Sequence, residues 1–265
     1  MNVITLLNEK GGVGKTTVSR HIAAGLAIKG ARVVLLDADA QANSTSQFQL
    51  EEENGMYELL VHDAEWSDVL RPVPLTAYAG PEGPAGELVI LPSNVETRLI
   101  PMAIDDTTLL NERIQELKGW ADYVVIDTSP TPSLLHGMIY MATNYMIYPT
   151  TCELLSLEGL NKSVGRLEVL NRNKQAYGLP EAHFMGVQPT MYDPRTNAHD
   201  YGLGLVVGEF KRRVWPAIPT RTIWRDAAFA RKTVFAYDTK DSKAKEEVEN
   251  QVWAMVDRVT KGVSA

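Results

Sequence analysis

Residues 3 to 17, Val-Ile-Thr-Leu-Leu-Asn-Glu-Lys-Gly-Gly-Val-Gly-Lys-Thr-Thr, set an apolar run against a glycine-rich turn and then a helix-forming segment. Gly11, Gly12 and Gly14 carry no Cβ, so the turn can take positive φ. Successive amide N–H groups then converge at the positive end of the following helix. The arrangement predicts a buried strand, an anion-binding loop and a helix, with room for an anion of triphosphate size. Gly11, Gly12, Val13, Gly14, Lys15, Thr16 and Thr17 are the expected nucleotide-binding residues. Lys15 is expected to reach the β- and γ-phosphates as a point charge and the Thr16 hydroxyl to ligate Mg²⁺, which makes ATP and Mg²⁺ the expected cofactors.

The rest of the chain alternates strand and helix. Val18, Ile22 and Leu26 recur at helical spacing and Gly30 follows Lys29, predicting a helix that stops near Lys29. Residues 32–37 read as a central parallel strand ending in carboxylates, and 88–91, 123–127, 145–148 and 183–188 as further strands. Helices are expected at 56–61, 107–118, 157–177, 222–231 and 241–260, and a last short strand at 215–218. From Pro72 to Gly86 seven of fifteen residues are Pro or Gly, a loop composition. The expected fold is α/β: one doubly wound domain over 1–265, with a mostly parallel central sheet flanked by helices.

Composition bounds the function. With 45% apolar and 22% charged residues the chain has the make-up of a soluble globular protein. No apolar run approaches a membrane span, and the start lacks the layout of a secretory signal, so a cytoplasmic location is expected. A single cysteine, Cys152, excludes an internal disulfide. His62, His136, His183 and His199 lack ligand spacing, implying no metal beyond Mg²⁺, and His21 reads as a packing residue. The net charge of −7 hides an asymmetry: residues 205–245 hold ten Lys/Arg against four Asp/Glu. No helix-turn-helix or finger motif accompanies this segment. It therefore suggests contact with a phosphate backbone without sequence reading, the candidates being Lys211, Arg212, Arg213, Arg221, Arg225, Arg231 and Lys232.

Two further motifs carry chemistry. Asp37-Ala38-Asp39 closes the second strand, and Tyr123-Val-Val-Ile-Asp127 has the form of a Walker B strand, with Asp127 holding a Mg²⁺-bound water. Glu9 occupies the position where the usual P-loop has its first glycine, and Lys10 stands beside it. Lys10-Gly-Gly-Val-Gly-Lys15-Thr-Thr thus resembles the deviant Walker A motif of the ParA/MinD family of ATPases. Asp127-Thr-Ser-Pro-Thr-Pro-Ser, Leu157-Glu-Gly-Leu160 and Pro189-Thr-Met-Tyr-Asp-Pro-Arg-Thr196 extend the resemblance over nearly the whole chain.

The resemblance implies roles. Lys10 would cross a dimer interface to the partner's nucleotide, so that the catalytic residues are Lys10, Lys15 and Asp39, with Asp39 orienting the attacking water. Asp37 would lie near the Mg²⁺ water shell, making Thr16, Asp37 and Asp127 the metal residues. Met191 and Arg195 become candidates for contact with the adenine or for ordering the dimer around it. Ala40 and Ala42 replace the family's Pro and Gly. The function implied is that of an ATP-bound homodimer on nonspecific double-stranded DNA, released when a ParB-like partner stimulates hydrolysis. Such a protein partitions plasmid or chromosomal DNA and is nucleoid-associated. Residues 221–227 resemble the plasmid partition branch, while Thr220 and Ile223 stand where the chromosomal branch has arginines. The absence of a helix-turn-helix before the first strand argues against operator binding. Alternatives are the positioning of a protein cargo, such as a carboxysome or chemoreceptor cluster, and a MinD-like membrane switch. The latter needs a basic amphipathic C-terminal helix, and residues 252–262 hold two basic residues, so no stable membrane association is expected. A metabolic P-loop enzyme is a third class.

Overall fold

The computed structural model describes residues 1–81 and 83–264. An apolar run such as 33–36 puts side chains on both faces of a sheet, so both faces need cover. The chain supplies it. From the N-terminus run β1 (Asn2–Leu6), α1 (Lys15–Ile28), β2 (Arg32–Ala38) and α2 (Asn43–Ser46). Then follow α3 (Gly55–Val61), α4 (Trp66–Val69), β3 (Arg71–Pro72), α5 (Leu75–Tyr78) and β4 (Glu87–Leu91). A 3₁₀ turn leads into α6 (Ile100–Ala103), and α7 (Leu109–Gln115), β5 (Tyr123–Thr128), α8 (Leu134–Ala142) and β6 (Tyr145–Thr151) come next. The C-terminal part is α9 (Leu154–Ala176), β7 (His183–Thr190), α10 (Asn197–Phe210), α11 (Thr222–Phe229) and α12 (Ser242–Val263).

The sheet has seven strands in the order β3-β4-β2-β5-β1-β6-β7, parallel except for the β3–β4 pair. Val33 and Leu35 pack with Ile4, Leu6 and Val125 beneath α1 and α12. Val34 and Leu36 point the other way, joining Val3, Val124 and Ile126 beneath α3, α7 and α8. Each such side chain contributes about 1.5–3 kcal/mol on full burial. A third cluster seats α9 and α10 on β6 and β7 through Leu160, Leu170 and Val206. Leu6 and Asp37 both stand level with Asp127. The loops leaving β1, β2 and β5 therefore open at one edge of the sheet, where the topology switches direction.

Several segments depart from expectation for physical reasons. Within the Pro/Gly-rich region, Arg71–Pro72 pairs antiparallel with β4 at the sheet edge, where a residue without an N–H is tolerated. β6 runs on through Pro149, which costs no ladder bond because β1 has left the sheet there and the Asn8 side chain takes the Pro149 carbonyl instead. The expected helix at 107–118 contracts to α7 followed by turns, and α9 starts three residues earlier than its apolar periodicity. The expected strand at 215–218 does not form. That segment follows β7 only at isolated bridges, Val187 to Val214 and Tyr192 to Pro219, because Pro216 and Pro219 cannot donate to a ladder. Neither α8 nor α10 is legible in the sequence, α10 because Gly202, Gly204 and Gly208 mask it. α12 turns Val248, Val252, Val256 and Val259 into the core, so its apolar stripe is engaged by the sheet side of the molecule. Among the described residues no helix is long and apolar enough to cross a membrane.

Candidate nucleotide site

Gly12 (φ 74°) and Gly14 (φ 86°) take the left-handed conformation; Gly11 does not. Among the described residues no group accepts a hydrogen bond from the amides of residues 11 to 17, which leaves the loop's N–H groups for an anion. The loop is fastened from outside. Asn8 donates through Nδ2 to the Pro149 carbonyl (2.8 Å) and accepts from the Lys10 amide (2.9 Å). At the far end of the loop Thr190 donates to the Val13 carbonyl (2.9 Å). Lys15 is buried, with Nζ on the carbonyls of Asn8 (2.9 Å) and Lys10 (3.3 Å). Burial pulls its pKa down against the attraction of Asp127 and Asp39.

Asp37 and Asp127 end adjacent strands in register and are both fully buried. Asp127 accepts from Ser44 Oγ (2.8 Å), while its Oδ1 is buried without a partner among the described residues. Burial raises its pKa, opposed by the nearby Thr16 and Ser44 hydroxyls and by the Lys15 charge. An undonated carboxylate oxygen beside a threonine hydroxyl and an anion loop fits a hydrated divalent cation. Asp37 is engaged differently. Its Oδ2 takes both the amide and the hydroxyl of Thr45 (2.8 Å each), and Oδ1 takes the Asp39 amide (3.3 Å), so it holds α2 in place. Burial, and then the charge of Asp127, push its pKa up to about 7. Asp39 lies on the cleft wall and accepts from the Gln41 amide (3.0 Å). Ala42, standing where the resemblance expects glycine, keeps a left-handed φ of 51°, at a cost of about 1–2 kcal/mol for a residue with a Cβ.

The loop, Asp39, Thr16 and Ser129 line a cleft of about 720 Å³. A more apolar hollow of about 240 Å³ adjoins it, sharing Gly14, Thr17 and Met191 and walled by Ile218, Pro219 and Trp224. Met191 has φ 52°, which turns the chain out of β7 and sets its side chain between the two spaces. Arg195 lines neither; it is 87% exposed and forks onto Asp193 (3.0 and 2.9 Å). Lys10 folds against its own chain, Nζ lying 2.7 Å from both Glu153 Oε2 and Ser156 Oγ. Glu9 pairs with Arg166 of α9.

The basic candidates do not share one place. Lys211, Arg212 and Arg213 form a 3₁₀ turn level with the start of β7; Arg212 and Arg213 line a groove with Arg258 and Lys261 of α12. Arg221 and Arg225 lie at the other end of β7, on the wall of the apolar hollow, where Arg221 pairs with Glu247 (2.7 Å). The carbonyl of the exposed Arg231 accepts from Gln49, and Lys232 follows half-buried. Sequence reasoning missed Asn8, Thr190, Arg20 and Gln47 as parts of the site. The hydroxyls of Ser44 and Thr45, in the polar loop after Asp39, were the only local signal for their partners.

A phosphate-binding loop between strand and helix, at the switch point of a mostly parallel sheet and beside two strand-end carboxylates, defines a P-loop nucleotide-binding protein. A sequence model of the AAA domain matches residues 1–177. The chain is 29% identical over 251 residues to sporulation initiation inhibitor protein Soj of Bacillus subtilis, covering 91% of this chain and 93% of that protein. It is 30% identical over 235 residues to chromosome-partitioning ATPase Soj of Thermus thermophilus, covering 87% and 86%. A Mycobacterium smegmatis structure described as cobyrinic acid a,c-diamide synthase, with bound ATP analogue and magnesium, superposes with a TM-score of 0.68 at 27% identity, covering 87% of this chain and 91% of that one. The chain belongs to the ParA/MinD-like family of P-loop ATPases.

Proposed function

We propose that the protein is a ParA-type Mg-dependent ATPase whose ATP-bound homodimer binds nonspecific double-stranded DNA, with release by partner-stimulated hydrolysis. The observation that carries this reading is the second lysine. A complete phosphate cradle with a buried Lys15 already serves one nucleotide, and Lys10 is a further cation resting on Glu153 and Ser156. The amides of residues 11–17 and Lys15 hold phosphate oxygens, and Asp39 orients the attacking water. Lys10 of a second copy neutralises the γ-phosphate, a role worth roughly a thousandfold or more where an arginine performs it. Thr16 and Asp127 would hold Mg²⁺, which when bound neutralises charge on the β- and γ-oxygens. The nucleobase occupies the hollow beside Met191. The whole chain acts as one domain in the nucleoid-bearing cytoplasm, with a ParB-like activator and a DNA cargo.

Binding to a random-sequence duplex with ADP, with ATP and with ATP after Lys10→Ala tests this at low and moderate salt. The expected result is ATP-only binding that weakens with salt and vanishes in the variant. Binding in no nucleotide state would remove the DNA role and leave the ATPase. Turnover at tens per second by a monomer without DNA or activator would favour a metabolic enzyme instead.

A further inference from the structure

Arg20 is 1% exposed, yet no carboxylate among the described residues touches it. Both terminal nitrogens are directed at one residue: Nη1 donates to Gln47 Oε1 (2.6 Å) and Nη2 to the Gln47 carbonyl, while Nε is buried without a partner among the described residues and the guanidinium carbon lies 4.4 Å over the Phe48 ring. A buried cation is an expensive way to hold a glutamine unless the glutamine has a task. Gln47 is part of the cleft wall. With Oε1 held by Arg20, the amide end left for the cleft is Nε2, a donor of two hydrogen bonds and an acceptor of none. Its position is fixed as well. Arg20 stands one helical turn beyond Thr16 on the same face of α1, so Gln47 lies on the Thr16 side of the loop, whereas the apolar hollow lies toward β7. Asn43, four residues before Gln47 on α2, lines the same wall.

We infer that Gln47 donates through Nε2 to the terminal phosphate of the bound nucleotide, and that Arg20 is the positioning residue that turns the amide toward it. This rests on the site being a nucleoside triphosphate site. Gln47 thereby adds to the P-loop a contact that a diphosphate cannot make, and it transmits the presence of the γ-phosphate to α2, whose Ser44 and Thr45 hold Asp127 and Asp37.

The affinities of a nonhydrolysable ATP analogue and of ADP, measured side by side by calorimetry, test the inference. Gln47→Leu is expected to weaken the analogue roughly tenfold, as loss of one hydrogen bond to a charged group does, and to leave ADP within about twofold. Gln47→Glu keeps an acceptor for Arg20 but presents an oxygen to the phosphate. It is expected to weaken the analogue at least as much while the melting temperature holds. Arg20→Met is expected to repeat the Gln47→Leu loss and to add nothing to it in the double variant. If Arg20→Met does not fold, Arg20→Lys, which keeps the charge and loses the fork, takes its place. Equal losses for both nucleotides, or wild-type analogue affinity in Gln47→Glu, would overturn the contact. Additive losses in the double variant would overturn the positioning role. Failure of the unaltered protein to bind either nucleotide would instead sink the nucleotide-site reading itself.

Discussion

His21 shows how one buried side chain in the P-loop helix ties stability to pH. Nδ1 faces the Thr17 carbonyl (2.6 Å) and must donate, while Nε2 accepts from the Val234 amide (3.1 Å), so the fold admits only the neutral ring. Burial first, and then the nearby Arg20 charge, lower its pKa to about 3. Between that value and the unfolded value near 6.5 the unfolded chain binds a proton that the folded chain does not. Stability from this residue is therefore complete above pH 6.5 and falls as pH drops, by up to about 1.4 kcal/mol per pH unit. Urea midpoints from pH 7.5 to 4.5 are expected to fall less steeply in His21→Asn than in the unaltered protein; parallel slopes would exclude His21 as the source. Lys10 offers a second test at the same scale. Its ammonium is held in its own chain by the exposed Glu153, whose pKa is lowered by the hydrogen bond and charge of Lys10. If Lys10 works across a dimer, Glu153→Gln frees it. The ATP-analogue dimer, followed by sedimentation velocity, is expected to tighten by no more than about fivefold, the range of an exposed ion pair. A weaker dimer would mean that Glu153 assists Lys10 instead of competing for it.

Among the elements, α10 separates glycines that are required from glycines that are merely tolerated. A Cβ at Gly202 would lie 2.0 Å from the Cys152 carbonyl oxygen, a main-chain atom of the loop after β6 that cannot step aside. A Cβ at Gly204 or Gly208 meets nothing within 4 Å. Gly202→Ala is expected to destabilise by about 2 kcal/mol or more through overpacking. Gly204→Ala and Gly208→Ala are expected to stabilise by about 0.5–1 kcal/mol each, since they remove helix-interior glycines without a clash. Chemical denaturation of the three variants checks both signs, and a neutral Gly202→Ala would mean that α10 is not seated on Cys152. The same element explains why the third core cluster exists: only a glycine lets the helix approach β6 closely enough for Val206 to join Tyr148 and Leu160.

Across the whole molecule the positive segment is divided by the sheet. Residues 214–219 run alongside β7 and the residues just after it, from Val187 to Tyr192, so Lys211, Arg212 and Arg213 stay at one end of that strand and Arg221 and Arg225 reach the other, beside the apolar hollow. Replacing Lys211, Arg212 and Arg213 with alanine is expected to lower the salt slope of DNA binding by about 0.9 for each phosphate no longer neutralised, with nucleotide affinity unchanged. Arg225→Ala is expected to alter nucleotide affinity as well; a pure DNA effect from both sets would place them on one interface. The division also marks what a linear reading could reach. The β1–loop–α1 unit, the carboxylates closing β2 and β5 and the apolar stripe of α12 were legible in the sequence, because glycine φ, side-chain period and spacing within one turn are local properties of the chain. The grip of Thr190 on Val13, across 177 residues, of Ser44 on Asp127, across 83, and of Arg20 on Gln47, across 27, was not. These interactions exist only once the strand order β2-β5-β1-β6-β7 brings particular strand ends together, and which ends meet is set by burial of both sheet faces rather than by any residue's neighbours along the chain.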